Sequence, residues 1–325
     1  MNDKPLLEVK HIKKYFTLKG GRGIVRAVDD VSFSVGKGET FGIVGESGCG
    51  KSTLGRVILR LTEPTEGQIF FEGKSVHDLN SRSLRKQRKK MQMIFQDAMA
   101  SLDSRQKIGN IIAEPLVVHG VGSKKERIEV VKNLLLKVGL EPDAMGKYPH
   151  EFSGGQRQRI CIARAISLNP QLVIADEPVS ALDVSIQSQV LNLLVDLRED
   201  LSLSYVFISH DLAIVEHICS RIAVMYLGQI VEMAEVDELF DNPAHPYTQT
   251  LLSAIPRPDP RKRNKKRIIL QGDIPNPSDV PSGCRFHTRC PYAMDICRKE
   301  VPPVFEKNAG KRHHLTNCHR GFESI

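Results

Sequence analysis

The chain has 325 residues, 41% apolar and 26% charged, a composition that suits a folded globular protein and excludes wholesale disorder. At about 150 residues per domain the length allows roughly two domains. No apolar run reaches the roughly 18 residues of a membrane span, and the N-terminal Met1-Asn2-Asp3-Lys4-Pro5 lacks the features of a secretory signal, so a cytoplasmic chain is expected. The net charge of +8 sits almost wholly after residue 240, where 15 basic residues face 8 acidic ones, which argues against a nucleic-acid-binding face along the whole chain.

In chain order, strands are predicted over Leu6–Lys10, Val31–Val35, Thr40–Val44, Gln68–Phe71, Gln92–Gln96, Gln171–Asp176, Tyr205–Ser209 and Arg221–Tyr226. Several are continuous apolar runs, the pattern of strands buried on both faces of a parallel sheet. Helical periods fall between them, over Lys51–Leu61, Gln156–Ser167 and Val184–Asp200. The alternation reads as an α/β fold made of βα units.

The alternation breaks from about Ala98 to Phe152, where no strand is evident. There Ser123 and Glu126 form a capping box ahead of a helix running to Val138, with Gly139 just past its end. Ile128, Val131, Leu134, Leu135 and Val138 share one face, which is expected to pack. The stretch reads as a helical insertion, about 98–160, in a first domain of residues 1–240. A helix and basic linker follow over 241–267. Arg257–Arg267 holds seven basic residues, one acid and two prolines, and a solvated tether is favoured there over contact with anionic lipid headgroups. Residues 268–325 have too little apolar periodicity for an ordinary core, so this cysteine-bearing C-terminal domain is expected to need a staple.

Gly45-Glu46-Ser47-Gly48-Cys49-Gly50-Lys51-Ser52, followed by Thr53, matches the phosphate-loop pattern G-x-x-x-x-G-K-S. It lies between a predicted strand and a predicted helix, the context the motif needs. The glycines let backbone N–H groups wrap phosphates, and the helix N-terminus adds its positive dipole end. Lys51 is expected to reach the β- and γ-phosphates of ATP and the Ser52 hydroxyl to bind Mg²⁺. The apolar strand ending at Asp176 and Glu177 follows, with Asp176 expected near Mg²⁺ and Glu177 placed to polarise an attacking water. Between the two motifs, Ser153-Gly154-Gly155 precedes a helix starting near Gln156. This is a second backbone anion site, and a simple phosphate-loop enzyme needs only one.

With these motifs the chain resembles the ATP-binding subunits of ABC transporters, whose signature loop reads Leu-Ser-Gly-Gly-Gln where this chain has Phe152-Ser153-Gly154-Gly155-Gln156. The resemblance implies that Ser153, Gly154, Gly155 and Gln156 act in trans on nucleotide held by a partner's phosphate loop. It implies a Q-loop role at Mg²⁺ and a membrane subunit for Gln96, and a D-loop role for Asp183 in Ser180-Ala181-Leu182-Asp183. It also implies a γ-phosphate contact for His210 and adenine stacking for Phe16, with Tyr15 as the runner-up. Catalysis would then rest on Lys51, Glu177 and His210. Met91-Gln92-Met93-Ile94-Phe95-Gln96-Asp97, Ala100-Ser101-Leu102-Asp103 and His245-Pro246-Tyr247-Thr248 narrow the likeness to the oligopeptide/dipeptide importer ATPases, and to the second of two paired ATPases. Ala98 and Ser104 depart from the proline usual in that group.

The resemblance implies peptide import on the cytoplasmic face of the inner membrane. The expected partners are a second homologous ATPase, two transmembrane permease subunits and, indirectly, an extracytoplasmic peptide-binding protein, with no nucleic acid. A soluble ABC ATPase acting on ribosomes or DNA is the alternative, as is an importer of nickel or another small solute. Cys284, Cys290, Cys297 and Cys318 have the spacing C-x5-C-x6-C-x20-C. Zinc sites usually show tight C-x2-4-C pairs, so the spacing, the Cys290-Pro291 pair and the family resemblance together point to one structural [4Fe–4S] cluster. Zn²⁺, helped by His287, His313, His314 or His319, and four reduced thiols remain the alternatives.

Overall fold

The computed structural model describes residues 4–18, 20, 23–255, 268, 272–309 and 312–323. The basic linker Arg257–Arg267 lies outside the described residues. The chain forms two compact units that interleave in sequence: residues 1–6, 35–39 and 78–208 make the first, and residues 7–34, 40–77 and 209–325 the second.

In the first unit the strand Leu172–Asp176 is buried at every residue and pairs in parallel with Met91–Ile94 on one side and with Ser204 to Ile208 on the other. Its apolar run can be buried on both faces because parallel neighbours satisfy its backbone while helices cover it. The register sets Asp176 opposite Ile208 at the C-terminal end of the pair. The helix Gly154–Ile166 packs on Met91–Ile94 and on the helices Ala98–Ser101, Ile108–Val118 and Val184–Leu201. No strand interrupts 98–152 among the described residues, as expected, and the Ser123–Glu126 capping box opens the helix Lys124–Lys137. Val131, Leu134, Leu135 and Val138 are buried, but Ile128 is 37% exposed and does not belong to the packing face.

The second unit holds two sheets. One is antiparallel, in the order Ile24–Val35, Leu7–Thr17, Glu66–Phe71, Lys74–Ser75. In the other, Thr40–Val44 pairs in parallel with Arg221–Tyr226, which turns back antiparallel into Gln229–Glu235. Leu227 and Gly228 both have positive φ, +42° and +85°, the geometry of a tight two-residue hairpin. Gln229–Glu235 then pairs with Arg312–Thr316, and that strand with Phe305–Ala309.

The cysteine-bearing segment is therefore no compact unit of its own, contrary to the sequence expectation. Its strands extend a sheet of the second unit, and Phe286, 1% exposed, packs against Tyr226, Tyr247 and His245. The apolar surface missing from residues 268–325 is supplied by strands and helices that precede them.

A buried polar network ties these pieces together. Glu232, 1% exposed, accepts the backbone N–H groups of Ala244 (2.6 Å) and His245 (2.9 Å) and pairs with His314 Nε2 at 2.7 Å. His245 caps the helix Pro246–Ser253, its Nδ1 accepting the Tyr247 N–H at 3.1 Å. Burial pushes the His245 imidazole down to about 4, against the opposing pull of Glu232.

The unfolded chain would protonate this histidine near 6.5, whereas the folded one resists until about 4. Between those values the unfolded state binds more protons, so His245 costs the fold stability as pH falls from about 6.5 toward 4. The loss is on the order of 3 kcal/mol. In His245→Asn, which keeps a capping acceptor without a titrating ring, denaturant unfolding across that window should show a flatter pH slope.

Candidate functional site

The phosphate loop is built in the second unit. It leaves the strand Thr40–Val44 and enters the helix Lys51–Ile58, with Gly50 as the cap residue. Gly45 has φ +154° and Gly50 φ +108°. A Cβ on Gly45 would lie 2.1 Å from the Met225 carbonyl oxygen, and one on Gly50 1.9 Å from that of Ala27. Both positions thus exclude any side chain, in conformation and in space. This is a backbone cradle shaped for an anion, and the chemistry of its residues fits a nucleotide phosphate.

Lys51 is 4% exposed, and its ammonium donates to the carbonyls of Gly45 (2.8 Å) and Glu46 (3.0 Å). Ser47 and Gly48 are exposed, and Ser52 and Thr53 half-buried. Cys49 is buried, and burial raises its thiol pKa, which suits a packing residue and not a reactive one. Phe16 is 42% exposed, with Lys14 Nζ 4.8 Å from its ring centre. Tyr15 instead hydrogen-bonds Asp29. Burial and that bond push the Tyr15 phenol up to about 12, so its hydroxyl is committed while the Phe16 ring stays accessible. His210 is exposed, just ahead of Asp211, which caps the helix Leu212–Ile218 through the Ala213 N–H at 2.8 Å.

The first unit carries the carboxylates and the second anion site. Asp176 is 1% exposed at the end of its strand, and Glu177 follows with φ +45°. A non-glycine residue held in the left-handed region is costly and survives only where its surroundings fix it. Here the Glu177 N–H donates to Ile208 O at 3.0 Å, and Gln96 Nε2 donates to Glu177 Oε2 at 3.1 Å. Ser153 caps the helix Gly154–Ile166 reciprocally with Gln156. Ser153, Gly154 and Gln156 are exposed, whereas Gly155 is buried where a Cβ would lie 2.4 Å from Ile186. Asp183 is exposed at the start of the helix Val184–Leu201.

Known proteins agree with this geometry. Residues 28–180 match the family model described as ABC transporter, and residues 231–297 the model described as oligopeptide/dipeptide transporter, C-terminal region. The oligopeptide transport ATP-binding protein AppF of Bacillus subtilis is 54% identical over 327 residues, covering 98% of both chains. The chain belongs to the ATP-binding subunits of oligopeptide ABC transporters. A putative peptide import ATP-binding protein of Brucella ovis is 52% identical over 98% of this chain and 99% of its own length. An ATP-binding cassette solved as a dimer in a post-hydrolysis state with ADP and phosphate superposes with a TM-score of 0.65 at 30% identity, over 71% of this chain and 98% of its own.

Two residues of this ABC subunit meet the phosphate loop that sequence reasoning did not assign to it. The Glu46 N–H donates to the Tyr247 hydroxyl at 3.0 Å, and the Glu46 carboxylate takes both terminal nitrogens of Arg289 at 2.8 and 3.1 Å. Tyr247 lies in the His-Pro-Tyr-Thr run that carried the narrower resemblance, which was the one available signal. Arg289 had none, since its side chain reaches back 243 positions.

All seven cysteines are unbridged. Cys284, Cys290, Cys297 and Cys318 lie near enough to act on one another electrostatically. Burial first, then the neighbouring thiols, push Cys284 up to about 12 and Cys290 to about 11. Among the described residues, however, no three or more His, Cys, Asp or Glu side chains are arranged to hold a metal ion. The histidines considered as zinc ligands are engaged elsewhere: His287 with Cys284 O, His313 with Glu306, His314 with Glu232 and His319 with Glu300 O. No described helix is long and apolar enough to cross a membrane.

Gly50→Ala should destabilise the protein by about 1–3 kcal/mol and weaken ATP binding at least about tenfold. Denaturant unfolding and nucleotide titration of the same preparation measure the two effects.

Proposed function

We propose that this chain binds and hydrolyses ATP to drive a peptide importer. What carries the reading is the pairing of a complete phosphate-loop ATPase with a peptide-transporter C-terminal region, in a relative aligned over nearly the whole length. Gly45 through Thr53 hold the polyphosphate, with Lys51 at the β- and γ-phosphates, and Phe16 stacks on adenine. Ser52, Asp176 and Gln96 hold Mg²⁺, which when bound neutralises charge on the phosphates. Glu177 polarises the attacking water, and Gln96, already bonded to it, keeps its carboxylate oriented. His210 contacts the γ-phosphate.

Ser153, Gly154, Gly155, Gln156 and Asp183 act on nucleotide bound by a second, homologous ATPase. The exposure of Ser153, Gly154 and Gln156 supports this, since a loop serving a partner has to lie at the surface. The assembly adds two permease subunits at the cytoplasmic face of the inner membrane and, indirectly, an extracytoplasmic peptide-binding protein. Residues 1–240 do the ATPase work, with 98–160 as the helical insertion that meets the permeases. Residues 241–267 connect to the transporter-type region 268–325.

Lys51→Ala should lose ATP binding. Glu177→Gln should bind ATP normally and turn over at least about a hundredfold more slowly, because an amide cannot accept charge from water. Full hydrolysis by Glu177→Gln would remove Glu177 from its role.

A second reading concerns the four cysteines. We infer that they hold one [4Fe–4S] cluster that staples the segment; the reading rests on the C-x5-C-x6-C-x20-C spacing, although the described side chains are not gathered around a metal ion. Protein purified without oxygen should be brown, with about four irons per chain. Colourless protein with a single zinc would replace the cluster by a zinc site.

A further inference from the structure

Glu46 sets a problem in the phosphate loop. It is the one anionic side chain among Gly45–Ser52, next to a cradle built for a highly charged anion. An unpaired carboxylate there would repel the ligand that the glycines and Lys51 attract. The structure resolves this with two residues far along the chain. Arg289, its side chain 8% exposed, grips the carboxylate with both terminal nitrogens. Tyr247, fully buried, takes the backbone N–H of the same residue. The fork neutralises the charge and fixes the side chain's direction, and the phenol fixes the backbone at the first step out of Gly45.

Neither residue is adrift. Tyr247 stacks at a tilt on Tyr226 with ring centres 4.7 Å apart, and Phe286 closes the cluster at 5.3 Å from each. Arg289 donates its backbone N–H to Phe286 O at 3.0 Å. Four residues earlier, Arg285 pairs with Asp29, both side chains at most 10% exposed, and also donates to Leu227 O. Loop, hairpin, helix start and cysteine segment thus meet within the second unit.

We propose that Arg289 and Tyr247 are positioning residues for ATP, acting through Glu46 to hold the phosphate loop in its binding shape. This rests on the ATP reading above and makes the C-terminal region part of the nucleotide site.

The test is a double-mutant cycle on the purified full chain, read by titration with a fluorescent ATP analogue and by thermal unfolding without nucleotide. Arg289→Ala should raise Kd about tenfold, while saturating ATP recovers most of kcat. In a Glu46→Gln background, where no carboxylate is left unpaired, the same change should alter Kd by less than about twofold. Arg289→Lys, which keeps the charge but not the fork, should fall between wild type and alanine. Tyr247→Phe, which keeps the ring packing, should raise Kd about threefold with little change in melting temperature. The proposal is overturned if Arg289→Ala lowers the melting temperature but leaves Kd within twofold, or if its effect multiplies with that of Glu46→Gln. Should Arg289→Ala not fold, an unchanged Kd in Tyr247→Phe and Arg289→Lys overturns it equally. Absence of Lys51-dependent ATP binding in the wild type would instead defeat the ATP reading itself, a separate result.

Discussion

A loop that wraps phosphate must turn its N–H groups toward the ligand, and its other side must then lie against something. Here that side lies against the carbonyls of Met225 and Ala27, so close that neither Gly45 nor Gly50 can carry a Cβ. Much of the second unit follows from this contact. Met225 belongs to the strand Arg221–Tyr226, parallel neighbour of the strand that delivers the loop, so sheet register sets loop shape. The hairpin at Leu227–Gly228 returns the chain under the loop, where the Gly228 N–H donates to Cys49 O at 2.8 Å and the Asp29 N–H to Gly228 O at 2.8 Å. The anion cradle is one face of a hydrogen-bonded stack whose other members lie far away in sequence.

Burial of charge in that stack needs pairing, since an isolated ion removed from water is strongly disfavoured. The second unit buries Glu232 against His314 and two backbone N–H groups, Arg285 against Asp29, and Arg289 against Glu46. Removing one partner of such a pair typically costs about 3–5 kcal/mol, because the other is left charged and dry. Pairs of this kind add little as glue and much as register. Each joins an element of the region before residue 240 to one after it or fixes the turn between them. A tail too polar to form a core is located by its charges instead.

The sequence made the buried parallel strands legible almost to the residue. Thr40–Val44 and Arg221–Tyr226 were predicted with their observed bounds, because a strand covered on both faces must be apolar throughout. Gln229–Glu235 went unseen because its turn is Leu227-Gly228, without the Asn-Gly or Asp-Gly signal, and because it buries Glu232. Phe305–Ala309 escaped as a polar strand at the sheet edge, and Arg312–Thr316, paired on both sides, because the residues it buries in alternation, His314 and Thr316, are polar. In the site, motifs with fixed local spacing were readable. The contact of Gln96 with Glu177 and of Arg289 with Glu46 was not, since nothing local constrains side chains 81 and 243 positions apart.

The cysteine segment places its chemistry in alternation. Cys284 adjoins Arg285, Arg289 adjoins Cys290, and Phe286 lies between, buried in the aromatic cluster. Backbone bonds from His287 to Cys284 and from Arg289 to Phe286, each 3.0 Å, wind these residues into tight turns. Cys284 also donates its N–H to Cys297 O at 2.8 Å, which binds the turn to the helix Asp295–Lys299. In so short a segment the two thiols and the two guanidinium groups cannot be arranged independently. Whatever fixes Cys284 and Cys290 fixes the backbone from which Arg285 and Arg289 reach Asp29 and Glu46. The order of the cysteine segment and the shape of the phosphate loop are therefore one constraint, carried through a stretch of seven residues from Cys284 to Cys290.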